Sequence, residues 1–302
     1  MQNKITEDNK IVVRNGDDFK LKKYKPAYNA GYLDEKTIKA SLENYKEAIA
    51  KLQDKLFAHG QHSILLVLQA IDASGKDSCI KHVLSGINPQ GCHVTAFKQP
   101  TPEELSHDFL WRTYKALPAK GMIGVFNRSY YEEVLVTKVH PEFILKQNLP
   151  GIKSVENIDE KFWNNRYRAI NEMERHLVKS GTLVIKLFLN MSKDEQRVRF
   201  LERTNDPTKK WKFNFGDLKE RKLWNTYQKV YEDMIQNTST KHAPWHIIPA
   251  DNQWVSRAIV GDILLETMQA LKLTYPDLTT EAIKLLEQGR NELKAETLKN
   301  TK

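Results

Sequence analysis

From Ile64 to Leu68 every side chain is apolar, whereas over residues 34–57 Leu42, Tyr45, Ile49, Leu52 and Leu56 recur three or four apart. The spaced pattern covers one face of a helix, and the continuous run reads as a strand covered on both faces. The alternation then repeats along the chain. Helices are predicted over 77–85, 102–116, 159–179, 193–203 and 254–271, the 159–179 helix ending at Gly181, and strands over 63–69, 92–98, 122–126, 182–189 and 245–249. Short apolar runs separated by helices specify an α/β fold, a parallel five-stranded sheet flanked by helices. Residues 1–275 are expected to form a single domain with an N-terminal helical region. Residues 276–302 are expected to form a peripheral C-terminal helix or tail. Between the fourth and fifth strands, 204–240 breaks the rhythm with Lys209, Lys210, Lys212, Arg221 and Lys222 set among Trp211, Phe213 and Trp224.

Composition narrows the class. The chain has 302 residues, enough for one large core. Its longest apolar runs are far too short for a bilayer, and no early stretch has the pattern of a secretion signal. Two cysteines, Cys79 and Cys92, and nine scattered histidines give neither a disulfide framework nor zinc spacing. A cytoplasmic protein is expected. Lys and Arg outnumber Asp and Glu by 47 to 38, a formal charge of +9, which suits a polyanionic partner without choosing one.

The stretch QAIDASGKDS at 69–78 narrows the choice. It follows a buried strand and opens a helix, as a phosphate-binding loop does, but departs from Gly-x4-Gly-Lys-Ser/Thr at Ala70 and at Asp77. Backbone amides at the helix start, with Lys76, make an anion site, and Gly75 supplies backbone freedom. Asp72 repels phosphate unless a divalent cation lies between them, so Asp72 is the expected Mg²⁺ ligand. Ala73, Ser74, Gly75, Asp77, Ser78 and Lys81 complete the expected phosphate-binding set. The plain alternative is a strand-to-helix turn with a solvated carboxylate.

A second polar cluster, Asn127-Arg128-Ser129-Tyr130-Tyr131-Glu132-Glu133, follows another buried strand, where ligands of open parallel sheets bind. Asn127 suits a metal-bound water or a phosphate, and Arg128 suits paired bonds to phosphate oxygens. Glu132 or Glu133 is placed to hold Arg128 or assist the cation. The alternative there is a capping Asn beside an Arg–Glu surface pair. Arg168 and Arg175, seven apart on one helix, share a face that lines either a phosphate channel or solvent. His176 is expected to be structural or solvent-exposed rather than a phosphorylated intermediate. The basic 204–240 segment is expected to act as a lid that excludes water during group transfer.

These stretches resemble the family-2 polyphosphate kinases. QAIDASGKDSCIKHVLSGINPQGCHV, HDFLWR, VFNRSYYEEVLVTKVHP, RYRAINEMERHL, FLNMSKDEQRVRFLERTNDPTKKWKF and APWHIIPADN carry the resemblance in order across residues 24–273. It implies a P-loop kinase fold, thymidylate-kinase-like, with a helical lid. It implies direct Mg²⁺-assisted in-line transfer of a terminal phosphoryl group from inorganic polyphosphate to nucleotides, with Mn²⁺ as a substitute ion. It also implies catalytic roles for Asp72, Lys76, Asn127, Arg128 and Arg175, with Lys210 and Lys212 on the phosphate path. Many members carry Asp where this chain has Asn127, so metal binding there is expected through water, with Asp72 as the main ligand. NRSYYEEVLV resembles the branch that accepts both mono- and diphosphates, AMP and ADP above all, with guanine nucleotides as further partners. A homodimer or homotetramer is expected, and neither nucleic acid nor membrane as a partner. The rivals are an ATP-dependent small-molecule or nucleotide kinase and a non-catalytic polyanion-binding protein.

Overall fold

The computed structural model describes residues 11–32 and 34–299. Its sheet contains β1 (Val12–Val13), β2 (Ser63–Gln69), β3 (Cys92–Ala96), β4 (Ile123–Asn127), β5 (Thr182–Asn190) and β6 (Trp245–Pro249), in the order β1-β6-β5-β2-β4-β3. β2 to β6 run parallel, as the apolar runs predict. β2 is central, with Leu66 opposite Val125 on one side and Ile185 on the other. All seven of its residues are buried. Each buried Leu, Ile or Val contributes about 1.5–3 kcal/mol, so this strand anchors whatever follows its carboxyl end.

The structure corrects the expected sheet in one respect: six strands are present, because β1 pairs antiparallel with β6, Val12 opposite His246. Two valines in a charged, turn-rich stretch are too short a run to show a period. They cover the outer edge of β6, which would otherwise present unpaired backbone groups.

One helical layer comprises Glu35–His59, Lys76–Val83 and Gln253–Ala270. The first starts where Asp34 accepts from the Thr37 amide and stops at Gly60, whose φ is 63°. It approaches Gln253–Ala270 closely at Gly261, where an added Cβ would meet Leu42 and Tyr45 at 3.4 Å. A second layer packs Glu160–Lys179 on β5 and Trp224–Thr238 on Glu160–Lys179.

Three further segments depart from the expectation. The helix predicted over 102–116 is two pieces, Pro102–Ser106 and Trp111–Lys115, because Asp108 accepts from the Leu110 amide and turns the chain between them. The basic 204–240 segment divides. Lys210–Lys212 and Phe215–Lys222 are exposed or half-buried, whereas Trp224–Thr238 buries Trp224, Tyr227, Tyr231, Met234 and Ile235 in the core. Thr280–Lys299 is a helix exposed over almost all of its described side chains. Among the described residues no helix is long and apolar enough to cross a membrane.

Candidate active site

Beyond the carboxyl end of β2 the chain turns tightly into helix Lys76–Val83, with left-handed backbone at Ala73 (φ 65°) and Gly75 (φ 96°). A Cβ on Gly75 would meet nothing closer than 3.6 Å, so the requirement there is conformational rather than steric. The Lys76 ammonium folds back, donating to the carbonyls of Ala70 at 2.9 Å and Ile71 at 3.4 Å. Arg199 splints the loop from outside. It donates to the carbonyls of Ser74 (2.9 Å), Ala73 (3.3 Å), Ala250 (2.5 Å) and Asp251 (3.1 Å) and so ties the loop to the end of β6. Gln196 adds a bond to the Asp72 carbonyl at 3.0 Å.

β4 delivers the second cluster alongside. The Arg128 amide donates to the Leu68 carbonyl at 3.1 Å and holds the two strand ends together. Arg128 has φ 62°, a conformation that costs a non-glycine residue energy and persists only where its surroundings enforce it. Its guanidinium bonds Asp72 Oδ1 at 2.5 Å and Glu132 Oε2 at 3.2 Å, and Asn127 donates to Asp77 Oδ1 at 2.7 Å. Behind the turn lies a buried polar network. Tyr130 and Tyr131 donate to Glu174 Oε1 at 2.8 and 2.7 Å. Lys186 donates to Glu174 Oε2 at 2.7 Å, the Thr238 carbonyl at 2.6 Å and the Tyr131 hydroxyl at 3.0 Å.

Burial, reinforced by Arg128, pulls the Lys76 ammonium down to about 8 against the opposing pull of Asp72, Glu132 and Asp77. Glu132 and then Asp72 hold Arg128 firmly charged. Burial, reinforced by the Asp72 carboxylate, raises the Asp217 carboxyl above its usual range.

Above the loop lies a cavity of about 430 Å³, lined by residues 72–78 and by Asn127, Arg128, Lys98, Arg199, Arg203, Lys209 and Lys212. A second cavity of about 320 Å³ adjoins it, sharing Phe97, Lys98 and Arg128. This one is largely apolar, walled by Pro100, Leu105, Val136 and Phe143, with Arg112, Glu133, Lys146 and Gln147 as polar groups.

The structure therefore brings together Asp72, Ala73, Ser74, Gly75, Lys76, Asp77, Ser78, Asn127, Arg128 and Lys212. The Ser78 hydroxyl accepts from Arg257 at 2.7 Å. Four expected residues stand elsewhere. Lys81 is exposed on the helix, away from the cavity lining, and Lys210 is exposed beside Lys212 without lining it. Arg168 and Arg175 line a separate groove, because their helix runs back toward the amino end of β5. Glu133 holds not Arg128 but Arg166, at 3.0 Å, and Gln147, at 2.7 Å, while Glu132 holds Arg128. Sequence reasoning passed over Arg199 and Arg203, and named Lys209 only as one of the basic residues of the 204–240 segment. The available signal was the four-residue spacing of Arg199 and Arg203 on the helix Lys193–Asn205 that follows β5.

Among the described residues no group of three His, Cys, Asp or Glu side chains gathers as a metal cage. Asp72 and Asp77 both line the cavity, and each has one oxygen in the hydrogen bonds above. That donor set fits a cation such as Mg²⁺, which takes one or two carboxylates and completes its shell with water and phosphate.

Strand order, loop and adjoining cavities together define a P-loop kinase-like protein. The chain belongs to the polyphosphate kinase 2 family, whose description it matches over residues 32–275. It is 49% identical over 252 residues to the ADP-polyphosphate phosphotransferase of Rhodopseudomonas palustris, covering 83% of this chain and 86% of that one. It is 43% identical over 271 residues to the AMP/ADP-polyphosphate phosphotransferase of Meiothermus ruber, covering 89% and 95%. The crystal structure of polyphosphate kinase 2 from Arthrobacter aurescens superimposes with a TM-score of 0.81 at 41% identity, covering 91% of this chain and 95% of that one.

Proposed function

We propose that this chain transfers the terminal phosphoryl group of inorganic polyphosphate to AMP and ADP, giving ADP and ATP, and that it works reversibly. The observation that carries the reading is the meeting of two cavities of unlike character at Arg128 and Lys98. The larger, cationic one suits a phosphate chain running from the loop past Arg203, Lys209 and Lys212. The smaller, apolar one suits a purine, adenine or guanine, with its phosphates toward Arg128. An oxygen of the acceptor phosphate then faces the terminal phosphorus of the donor. A phosphorus–oxygen bond forms as the anhydride bond to the rest of the chain breaks, and the shortened polymer leaves with the charge.

A nucleotide phosphate oxygen is already a competent nucleophile, so the residues need to position and neutralise rather than deprotonate. Lys76, Arg128 and the loop amides face the charge that shifts during transfer. Asp72 and Asp77 would hold Mg²⁺, with Mn²⁺ as a substitute, and Asn127 would act through water. Bound there, the cation supplies charge neutralisation between the two phosphate groups. Lys209 and Lys212 form the inner face of a lid over residues 206–222 that limits water, and Arg203 of the preceding helix anchors it through Asp217. Assembly as a homodimer or homotetramer is part of the proposal and is read by light scattering.

The test supplies Mg²⁺ and polyphosphate with AMP or ADP separately and measures the ADP and ATP formed. Lys76→Met and Arg128→Ala each lower turnover roughly 100- to 1,000-fold, the usual effect of removing one stabilising donor, while the chain stays folded. Binding of polyphosphate without transfer to any nucleotide would make the chain a polyanion-binding protein. Transfer only from ATP would make it an ATP-dependent nucleotide kinase.

A further inference from the structure

The groove that holds Arg168 and Arg175 has no part in the reaction just described. Its walls are helix Glu160–Lys179 and the segment around Asn237 and His242, and it encloses about 390 Å³. Asn164, Arg168, Asn171 and Arg175 follow one another at intervals of four, three and four residues, which puts them in one continuous stripe on the helix. The far side of the same helix buries Trp163, Ile170, Met173 and Leu177, and the buried Tyr167 floors the groove at the border between the two, so the stripe points outward by construction. Among the described residues neither guanidinium has an ion-pair or hydrogen-bond partner.

The other polar groups of the groove are only partly satisfied. Asn171 donates to the Asn237 carbonyl at 2.9 Å, yet its own buried side-chain oxygen has no partner, and neither has the buried Nε2 of His242. Acidic groups are few. Glu172 lines the groove, whereas Asp233 close by is taken up by Lys138, by Tyr167 at 2.7 Å and by Asn237 at 2.9 Å. The two guanidiniums and the Asn164 amide, set along an open groove, suit an extended polyanion, with bonds to oxygens spaced along it.

The geometry points to this groove as a second binding site for the polyphosphate chain, distant from the reacting end. His242 precedes the amino end of β6 and Arg175 the amino end of β5, whereas the phosphate loop follows the carboxyl end of β2. None of the groove's lining residues lines the cavity above that loop. A polymer long enough to reach both sites is tethered, and the second contact then forms at high effective concentration. A short oligophosphate occupies only the loop. The identity of the polyanion rests on the proposed function; the existence of an anion site does not.

The experiment compares the intact chain with Arg168→Ala/Arg175→Ala and Arg168→Glu/Arg175→Glu. Each is assayed with long-chain polyphosphate and with tripolyphosphate, for transfer and for direct binding by calorimetry, and with single-stranded RNA for binding. Exposed charge contacts are individually weak, so the alanine pair raises KM and Kd for the long polymer roughly three- to tenfold, and the glutamate pair raises them further. kcat is unchanged, tripolyphosphate is used as before, and light scattering gives the same copy number. An equal loss with tripolyphosphate, or no loss with either, overturns the site. A change in copy number assigns the groove to a subunit contact instead, and selective loss of single-stranded RNA binding assigns it to nucleic acid. If the intact chain transfers nothing from polyphosphate, the proposed function fails, and the calorimetric comparison alone decides the groove.

Discussion

Above about pH 8 the Lys76 ammonium of the ligand-free protein gives up its proton, whereas in the unfolded chain it keeps it to 10.5. Between those limits the unfolded chain binds more protons, so this group adds stability as pH rises from about 8 toward 10.5. Below about 8 its burial cost is constant. Phosphate in the loop supplies negative charge and restores the proton. Polyphosphate binding near pH 8.5 is therefore accompanied by uptake of a substantial fraction of one proton. Calorimetry in buffers of different ionisation enthalpy reads that uptake, and Lys76→Met abolishes it. Lys76, Asp72, Asn127 and Arg128 were legible because each stands directly after an apolar run, where a parallel sheet opens its ligand site. Arg199 was not, since its four-residue spacing from Glu195, at 2.7 Å, has the form of an ordinary solvated helix pair. Only the tertiary arrangement turns its other nitrogens onto the loop carbonyls.

Among the elements, the turn after β4 depends on groups remote from it in sequence. Lys186 of β5 and Glu174 of the helix before it form a fully buried pair that also receives Tyr130 and Tyr131. Lys186→Met leaves Glu174 as an uncompensated buried charge and costs about 3–5 kcal/mol, read from the urea midpoint. The double change Lys186→Met/Glu174→Leu recovers only part of that, because it removes the buried charge but leaves the Tyr130 and Tyr131 hydroxyls and the Thr238 carbonyl without their partner. At the segment 206–222, which we propose acts as a lid, Arg203 holds Asp217 at 3.1 Å. Asp217→Ala speeds tryptic nicking within 206–222 several-fold, and polyphosphate protects against it. Long periodic helices and the five parallel strands were readable from the sequence. The break at Asp108, the short turns over Tyr130–Leu145 and β1 were not, since side-chain–backbone bonds and a borrowed strand edge leave no period behind.

For the molecule as a whole, the exposed helix Thr280–Lys299 lies beyond residue 275, where the family match ends. Deleting 280–302 leaves transfer and melting temperature essentially unchanged; a fall in copy number by light scattering would instead assign the helix to the assembly. The net charge of +9 suggests a strong, salt-sensitive hold on any polyanion. The resting state of the loop argues otherwise for the reacting end. Arg128 is already matched by Asp72 and Glu132, and Lys76 by two carbonyls. Seating a phosphate there is an exchange of internal partners, with few bulk counterions set free. Affinity for tripolyphosphate should therefore fall less steeply with added salt than the cations lining the cavity would suggest.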